Sequence, residues 1–379
     1  MSGYTSSIDS SGVASTFRTA AAAHQRVLVL THAKADGDAM GSALACVRTL
    51  LALGAQAEMW LVGPFSAWLD FASEQTPCRK IGSVDGLPPA EAFDLIVIVD
   101  TGSWAQLDLL GGWLKGHAAR CLIVDHHING NAEIAERRLI VGSAASCTEV
   151  LAPVCAKALA LTAGTLPVEI ATPLYLGLCT DTGWFKYSNT GPGTLHLAAD
   201  LLTAGVNAPG LYELIEQQSA EARPRLLGRA LSRLEVSCGG RLGVMSLTLA
   251  DFQEFSAESE DSGGFAEHVL AIKGMAVVAT LTETTRDGAF EPLTKCSMRS
   301  KPGPFAVDVA AVCAKLGGGG HARAAGVKIR KPLADARQEI VQAIETALVN
   351  VDRLMKQRAM QEQAAGDGEP AGVASVWKR

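Results

Sequence analysis

Histidine and aspartate side chains follow short apolar runs at four places in this sequence. In the clearest, four apolar residues at 121–124 lead into Asp125, His126 and His127. Ionisable side chains at the end of a buried strand are costly unless a metal ion, a proton transfer or solvent compensates them. The triplet therefore indicates either a metal or catalytic site or, on a purely structural interpretation, a solvated strand end.

The other three places carry the same residue types. His32, Asp36 and Asp38 follow one apolar run, Asp100 follows a second, and Asp181 follows a third. Taken singly, each has an ordinary structural explanation, because aspartates cap helices and make turns and a lone histidine can be a hydrogen-bonded core residue. Their joint occurrence after successive apolar runs favours one shared site.

This donor set points to a particular class of metal ion. Histidine and carboxylate ligands without cysteine suit manganese, magnesium or iron rather than a structural zinc. Two ions need about six to eight protein ligands with one carboxylate shared, and the sequence offers that number. Two ions roughly 3.5–4 Å apart suit hydrolysis of a phosphate ester, because they activate a water and neutralise the attacking and leaving oxygens.

The elements around these residues alternate between strands and helices. Residues 27–31, 93–99 and 121–124 are predicted as strands, and residues 39–53 and 148–161 as helices. Chemically active residues after successive strands are typical of an open α/β sheet, whose site lies at the carboxyl ends of the strands. The sequence therefore predicts an α/β domain with a parallel sheet.

A second, smaller α+β domain is predicted to follow. It contains a glycine run at 317–320 that precedes His321. Glycines let backbone amides approach phosphate oxygens closely, although a flexible loop is the ordinary explanation for such a run. The predicted boundaries are 15–216 for the catalytic domain, 217–236 for a helical linker, 237–350 for the second domain and 359–379 for a disordered tail.

Composition restricts the class of protein. The chain has 379 residues, 48% of them hydrophobic, which is enough for two domains. A net charge of -6 argues against a protein that coats long nucleic acid through a basic surface. Nine scattered cysteines without a CxxC pair indicate reduced thiols. We identify no signal peptide or membrane span, and we expect a cytoplasmic protein.

The order of the candidate residues resembles the DHH phosphoesterase family. Residues 317–326, Gly-Gly-Gly-Gly-His-Ala-Arg-Ala-Ala-Gly, resemble the signature of the DHH-associated C-terminal domain. The resemblance covers roughly residues 20–335 and is strongest to the short nanoRNase/pAp phosphatases. It implies a parallel-sheet domain joined by a helical linker to a smaller α+β domain, with the active site in the cleft between them.

The resemblance also implies a role for each residue. His32 and Asp36 would bind one metal ion, and Asp38, His126 and Asp181 a second, with Asp100 bridging the two. Asp125 would orient a histidine, and His127 would contact the scissile phosphate or assist proton transfer. The catalytic set would thus be Asp100, Asp125 and His127, and the substrate contacts His127, Arg299, Gly318, Gly319, Gly320 and His321.

The activity implied is hydrolysis of oligoribonucleotides of two to five nucleotides to mononucleotides and removal of the 3′-phosphate of pAp. The implied cofactors are two divalent ions, with manganese favoured over magnesium, cobalt or iron. One alternative is a phosphodiesterase for c-di-AMP, pApA or pGpG. The other is a nucleotide-binding scaffold, which would require a lost ligand, and none is lost. The expected partners are these short nucleotides, not long duplexes or membranes, and a homodimer is compatible with the resemblance.

Overall fold

The computed structural model describes residues 4–63, 73–286, 289–303 and 306–364. The chain divides into two compact units, Met1–Gln218 and Ser219–Arg379. The first unit includes residues 4–14, which precede the predicted domain start at residue 15. Each unit is built around a six-stranded sheet.

The sheet of the first unit is parallel throughout. Its strands are β1 (Arg26–Leu30), β2 (Gln56–Val62), β3 (Cys78–Ile81), β4 (Leu95–Val99), β5 (Cys121–Asp125) and β6 (Arg137–Ile140). They lie in the order β3-β2-β1-β4-β5-β6. Because the order reverses between β1 and β4, the carboxyl ends of these two strands are where an open α/β sheet binds its ligands.

The apolar composition of these strands follows from burial on both faces. In β1, Val27 and Val29 pack into one core cluster, while Leu28 and Leu30 pack into another on the opposite face. This is the pattern expected when helices cover both sides of a parallel sheet. Among the described residues, the helices of the unit are α1 (Ser10–Ala22), α2 (Gly37–Ala52), α3 (Trp104–Leu107), α4 (Leu109–Leu114), α5 (Cys147–Ala158), α6 (Val168–Asp181), α7 (Pro192–Thr203) and α8 (Ala208–Glu216).

Helices α2 and α6 pack unusually closely because both carry glycines at their contact. A Cβ on Gly41 would collide with the carbonyl oxygen of Pro173 and lie 3.0 Å from the backbone nitrogen of Gly177. A Cβ on Gly177 would in turn come within 2.5 Å of the carboxylate of Asp38. The glycines therefore let the start of α2 and the end of α6 approach each other.

The second unit contains a mixed sheet. Its strands are β7 (Glu235–Ser237), β8 (Leu242–Leu247), β9 (Val277–Arg286), β10 (Ala289–Ser300), β11 (Gly319–His321) and β12 (Ala324–Ile329). They lie in the order β11-β12-β10-β9-β8-β7, and only β8 and β9 are parallel neighbours. The helices are α9 (Ala222–Ser232), α10 (Leu249–Phe255), α11 (Phe265–Leu270), α12 (Val309–Lys315) and α13 (Leu333–Ala364). In the described part of the chain, no helix is long and apolar enough to cross a bilayer.

The predicted fold class, an α/β parallel-sheet domain followed by a smaller α+β domain, is confirmed. The predicted linker helix over 217–236 is shorter than expected at both ends: α9 begins at Ala222 and ends at Ser232, and residues 235 and 236 belong to β7. Helix α9 buries Leu226 and Ala230 in the core of the second unit. The terminal helix extends to Ala364, into the predicted tail, and residues 365–379 of that tail lie outside the described residues.

We predict that Gly41→Ala lowers the free energy of unfolding of the first unit by about 1–3 kcal/mol, because the added methyl meets backbone atoms that cannot rotate away. Urea titration followed by tryptophan fluorescence measures this, since five of the six tryptophans lie in residues 1–218. Gly112→Ala in α4 is the matched control, because its Cβ meets no atom within 4 Å. Equal effects of the two substitutions would contradict the close helix packing.

Candidate functional site

All eight residues that the sequence predicted for the first unit's site converge at the carboxyl edge of its sheet. His32 follows β1, Asp100 follows β4 directly, and Asp125 is the last residue of β5. Asp181 reaches the same place as the last residue of α6. The remaining members are Asp36, Asp38, His126 and His127.

Three of these residues form a first group of candidate metal ligands. Nε2 of His32 lies 3.8 Å from Oδ1 of Asp36 and 3.5 Å from Oδ2 of Asp100. One donor atom from each of the three residues lies within 4.8 Å of the others. The other ring nitrogen of His32, Nδ1, is 2.9 Å from the carbonyl oxygen of Ala33. This contact fixes the ring so that Nε2 faces the carboxylates.

A second group lies on the other side of Asp100. Nε2 of His126 is 3.9 Å from Oδ2 of Asp38 and 3.7 Å from Oδ2 of Asp181. The same nitrogen is 3.5 Å from Oδ1 of Asp100. The carboxylate of Asp100 therefore presents one oxygen to each histidine.

These separations are the ones expected between ligands of a shared ion. They are too long for hydrogen bonds, whereas two atoms each about 2.1 Å from one metal ion stand roughly 3.0–4.2 Å apart, depending on the angle between them. Among the described residues, the buried Oδ1 of Asp100 has no hydrogen-bond partner. A buried carboxylate oxygen without a partner is costly, and a cation would compensate it. The residues present thus fit a divalent metal ion.

Electrostatics support the same conclusion. Burial and the neighbouring carboxylate of Asp38 raise the pKa of Asp100 well above its usual range, although His32 partly offsets them. Burial and Asp38 also raise the pKa of Asp181, to about 6. Burial raises the pKa of Asp38 itself. Crowded carboxylates resist sharing one buried space as anions, and positive charge placed between them would relieve this repulsion.

The pKa values of His32 and His127 are also raised, because carboxylates adjoin both rings. Burial acts to lower the pKa of His32, but the nearby carboxylates of Asp100 and Asp36 outweigh it and raise the pKa to about 10. A hydrogen bond to Asp125 raises the pKa of His127 to about 9. A histidine must lose its proton before it can bind a metal ion, so metal and proton compete for His32.

Two of the aspartates also stabilise helix termini. Oδ1 of Asp36 caps α2 by accepting hydrogen bonds from the backbone nitrogens of Asp38 and Ala39, at 3.1 and 3.0 Å. Asp38 accepts from the first residues of α5, Cys147 at 2.6 Å and Thr148 at 3.0 Å. The structural and the functional explanations of this Asp-x-Asp pair are therefore compatible, because capping holds each carboxylate in place.

Asp125 is fully buried and holds His127. Its Oδ1 accepts a hydrogen bond from the backbone nitrogen of His127 at 3.0 Å and lies 2.8 Å from Nδ1 of the same residue. The side chain of His127 is 48% exposed, whereas that of His126 is 15% exposed. Asp100, His126 and His127 also place donor atoms within 4.8 Å of one another. Of the two histidines, the more exposed one is thus tied to Asp125.

This arrangement also includes residues that the sequence did not indicate. The hydroxyl of Tyr4 donates a hydrogen bond of 2.8 Å to Oδ2 of Asp125. The backbone amides of Cys147 and Thr148 hold Asp38. No sequence signal identified these partners, because Tyr4 stands in a Ser- and Gly-rich stretch and the amides belong to an ordinary helix start.

The other predicted substrate contacts lie in the second unit. In the sheet register Arg299 and His321 are both paired with Ala324, on opposite sides of it, so their side chains leave the same face. Their backbones are two strand spacings apart, roughly 10 Å. His321 is exposed, while Arg299 is partly buried and donates to Oγ of Ser297 at 3.3 Å.

The last two glycines of the run belong to strand β11, so this part of the run is not the loop that is the ordinary explanation. Gly318 lies so close to Gly326 that any Cβ would collide with the carbonyl oxygen of the latter. Gly320 adopts φ of 139°, a region that favours glycine. A cavity of about 540 Å³ lies against this sheet, and its lining includes Arg299 and residues 317–320. The predicted glycines and Arg299 are thus brought together.

Comparison with known proteins yields relatives along most of the chain. The chain is 30% identical over 333 residues to the bifunctional oligoribonuclease and PAP phosphatase NrnA of Thermus thermophilus, covering 86% of this chain and 92% of that protein. Two solved structures share the fold. An exopolyphosphatase-related protein from Bacteroides fragilis has a TM-score of 0.71 at 21% identity, over 90% of this chain and 96% of that one. The exonuclease RecJ bound to manganese has a TM-score of 0.51 at 15% identity, over 89% and 94%.

Two family descriptions match successive parts of the chain. Residues 26–178 match the N-terminal domain of the DHH family, which spans the parallel sheet and most of the candidate metal ligands. Residues 239–350 match the DHHA1 domain, which spans most of the second unit's sheet and the glycine run. The protein therefore belongs to the DHH phosphoesterase family and carries its DHH and DHHA1 domains in succession.

Proposed function

We propose that this phosphoesterase hydrolyses short oligoribonucleotides to mononucleotides and removes the 3′-phosphate of pAp. The observation that carries the proposal is the carboxylate of Asp100, which faces a ligand group on each side and keeps a buried oxygen without a hydrogen-bond partner among the described residues. The similarity to NrnA of Thermus thermophilus, a bifunctional oligoribonuclease and PAP phosphatase, supports the choice of substrate.

The proposed metal site holds two divalent ions. His32 and Asp36 would serve one ion, and Asp38, His126 and Asp181 the other, with Asp100 shared. When bound, such ions activate water and neutralise charge on the reacting phosphate. Manganese is the first ion to test, because histidine and carboxylate donors suit it and the RecJ exonuclease of the same fold was crystallised with it.

His127 has a different proposed role. Its Nδ1 is paired with Asp125, so its second ring nitrogen, Nε2, is the one oriented for other contacts. A half-exposed imidazole in this orientation can donate a hydrogen bond to a phosphate oxygen or a proton to the leaving oxygen. Asp125 supports this role by holding the ring and its tautomer.

The second unit is proposed to bind the substrate away from the scissile bond. Arg299 presents a fixed guanidinium beside the glycine strand, where backbone amides and a bidentate cation suit a phosphate or a terminal nucleotide. His321 leaves the same sheet face. A small cationic surface of this kind holds one or two phosphates, which suits a short substrate.

We predict that Asp100→Asn lowers metal-dependent release of mononucleotide from a labelled RNA dimer by at least about 100-fold, because it removes the charge that both ligand groups share. Asp94→Asn is the matched control, since Asp94 flanks the opposite end of β4 and its side chain accepts a structural hydrogen bond from the backbone nitrogen of Arg26. Assay with manganese and with a chelator shows whether release depends on metal. A wild-type protein that releases no nucleotide from any RNA would overturn the proposed function.

The substrate preference is measured in the same assay. RNA dimers and pentamers, pAp, c-di-AMP and pGpG are compared at equal concentration. The proposal expects the highest kcat/KM for RNA dimers to pentamers, together with phosphate release from pAp. A preference of more than about tenfold for c-di-AMP or pGpG would favour the dinucleotide phosphodiesterase instead.

We predict that substitutions of the two adjacent histidines have different effects, one on metal affinity and the other on turnover. His126→Ala lowers manganese affinity by at least about tenfold, because Nε2 of His126 faces three carboxylates. His127→Ala leaves the bound metal unchanged and lowers kcat. Isothermal titration with manganese and steady-state kinetics at saturating manganese separate the two effects. Loss of metal from His127→Ala would show that this histidine is itself a ligand.

We predict that Arg299→Lys raises KM for an RNA dimer by about tenfold with little change in kcat, because a lysine loses the bidentate geometry. Arg330→Lys is the matched control, since Arg330 is exposed and lies just past the far end of β12. Steady-state kinetics measure both variants. An unchanged KM in Arg299→Lys would show that this residue does not bind the substrate.

A further inference from the structure

The first residues of the described chain lie along the edge of the parallel sheet. Ser7 donates from its backbone nitrogen to the carbonyl oxygen of Arg138 at 2.8 Å. The hydroxyl of Ser6 bonds the carbonyl oxygen of Ile140 at 2.9 Å and accepts from its nitrogen at 2.8 Å. Strand β6 is the edge of the sheet, so this segment covers its open hydrogen-bonding groups.

This anchoring places Tyr4 directly beneath the loops that carry the site. Its side chain is 3% exposed. The ring fills a slot between Gly102, two residues after Asp100, and Gly130, three residues after His127. A Cβ on Gly130 would lie 2.6 Å from the ring, and a Cβ on Gly102 would overlap the phenol. The two glycines therefore make room for this one tyrosine.

The tyrosine hydroxyl is the first member of a hydrogen-bond chain that runs through Asp125 and holds His127. It donates to Oδ2 of Asp125 at 2.8 Å, and Oδ1 of the same carboxylate holds Nδ1 and the backbone nitrogen of His127. Both oxygens of this fully buried carboxylate are thus occupied, one by Tyr4 and one by His127. Burial and the nearby Asp125 raise the pKa of Tyr4 above its usual range, so the hydroxyl remains a donor.

We propose that Tyr4 is a positioning residue for turnover, which acts through Asp125 to set the orientation of the His127 ring. This inference depends on the proposed function in one respect, because the proposed reaction is the one used to measure turnover. Without the Tyr4 hydroxyl, Oδ2 of Asp125 is buried without a partner, and the carboxylate gains freedom to rotate away from His127. The N-terminal segment therefore carries a residue of the site, although it lies outside the matched family region, which begins at residue 26.

The test is Tyr4→Phe, which removes the hydroxyl and leaves the ring in its slot. We expect kcat for the preferred substrate to fall by about 10- to 100-fold, with KM and bound manganese nearly unchanged and the melting temperature lowered by a few degrees, because Oδ2 of Asp125 loses its partner. Tyr212→Phe is the matched control, because Tyr212 is exposed and packs against Trp184 in the same unit. A melting temperature that falls while kcat stays constant would show that Tyr4 has a structural role alone.

A double-mutant cycle tests whether Tyr4 acts through His127. If it does, adding Tyr4→Phe to His127→Ala changes kcat by less than about twofold, because the residue being positioned is already absent. The same loss in both backgrounds would overturn the proposal.

A second readout is independent of the activity. Nitrogen-15 NMR of labelled histidine reports the tautomer and the Nδ1 proton of His127, assigned by its absence in His127→Ala. We expect this resonance to shift or broaden in Tyr4→Phe and to remain in Tyr212→Phe. An unchanged resonance would overturn the positioning role. If the wild type hydrolyses no tested substrate, the proposed function fails, while the NMR comparison still decides the role of Tyr4.

Discussion

The carboxylate of Asp100 is the constraint on which the first unit's site depends. It is buried, its Oδ1 lacks a hydrogen-bond partner among the described residues, and a histidine faces each of its oxygens. Its backbone also has a φ of 60°, a conformation that is uncommon for residues other than glycine. Strain and buried charge at one residue persist only where the surrounding structure determines them. That surrounding structure is the reversal point of the sheet, between β1 and β4.

The helices complete the site through close packing. Asp38 and Asp181 come from opposite ends of helices α2 and α6, and they can face one histidine only because these helices touch at glycines. The amides at the start of α5 hold Asp38, where the helix N-terminus favours negative charge. The positions of the residues in the two groups therefore depend on core packing as much as on the loops that carry them.

The sequence predicted most of this site because parallel strands place their carboxyl ends at one edge. Three such strands lead to His32, Asp100 and residues 125–127. The types and order of these residues were therefore enough to predict that they share one site. Tyr4 was missed because its contact with Asp125 joins residues 121 positions apart, and nothing local in a Ser- and Gly-rich stretch indicates it. Strand β7 was missed because it is a short, exposed edge strand beside a helix, and β11 because glycines predict a loop.

The charge distribution is compatible with the short substrates proposed for this protein. The first unit's site concentrates the carboxylates of Asp36, Asp38, Asp100 and Asp181 in one place, and the whole chain carries a net charge of -6. In the proposed reaction, bound cations would neutralise the phosphate at the reacting position, but each additional phosphate of a longer strand would have to approach an acidic protein. Affinity for long nucleic acid grows with the number of phosphates that cationic side chains neutralise. Under the proposed function, Arg299 would supply a few such contacts, so the first few phosphates would provide the binding energy and a long strand would add repulsion.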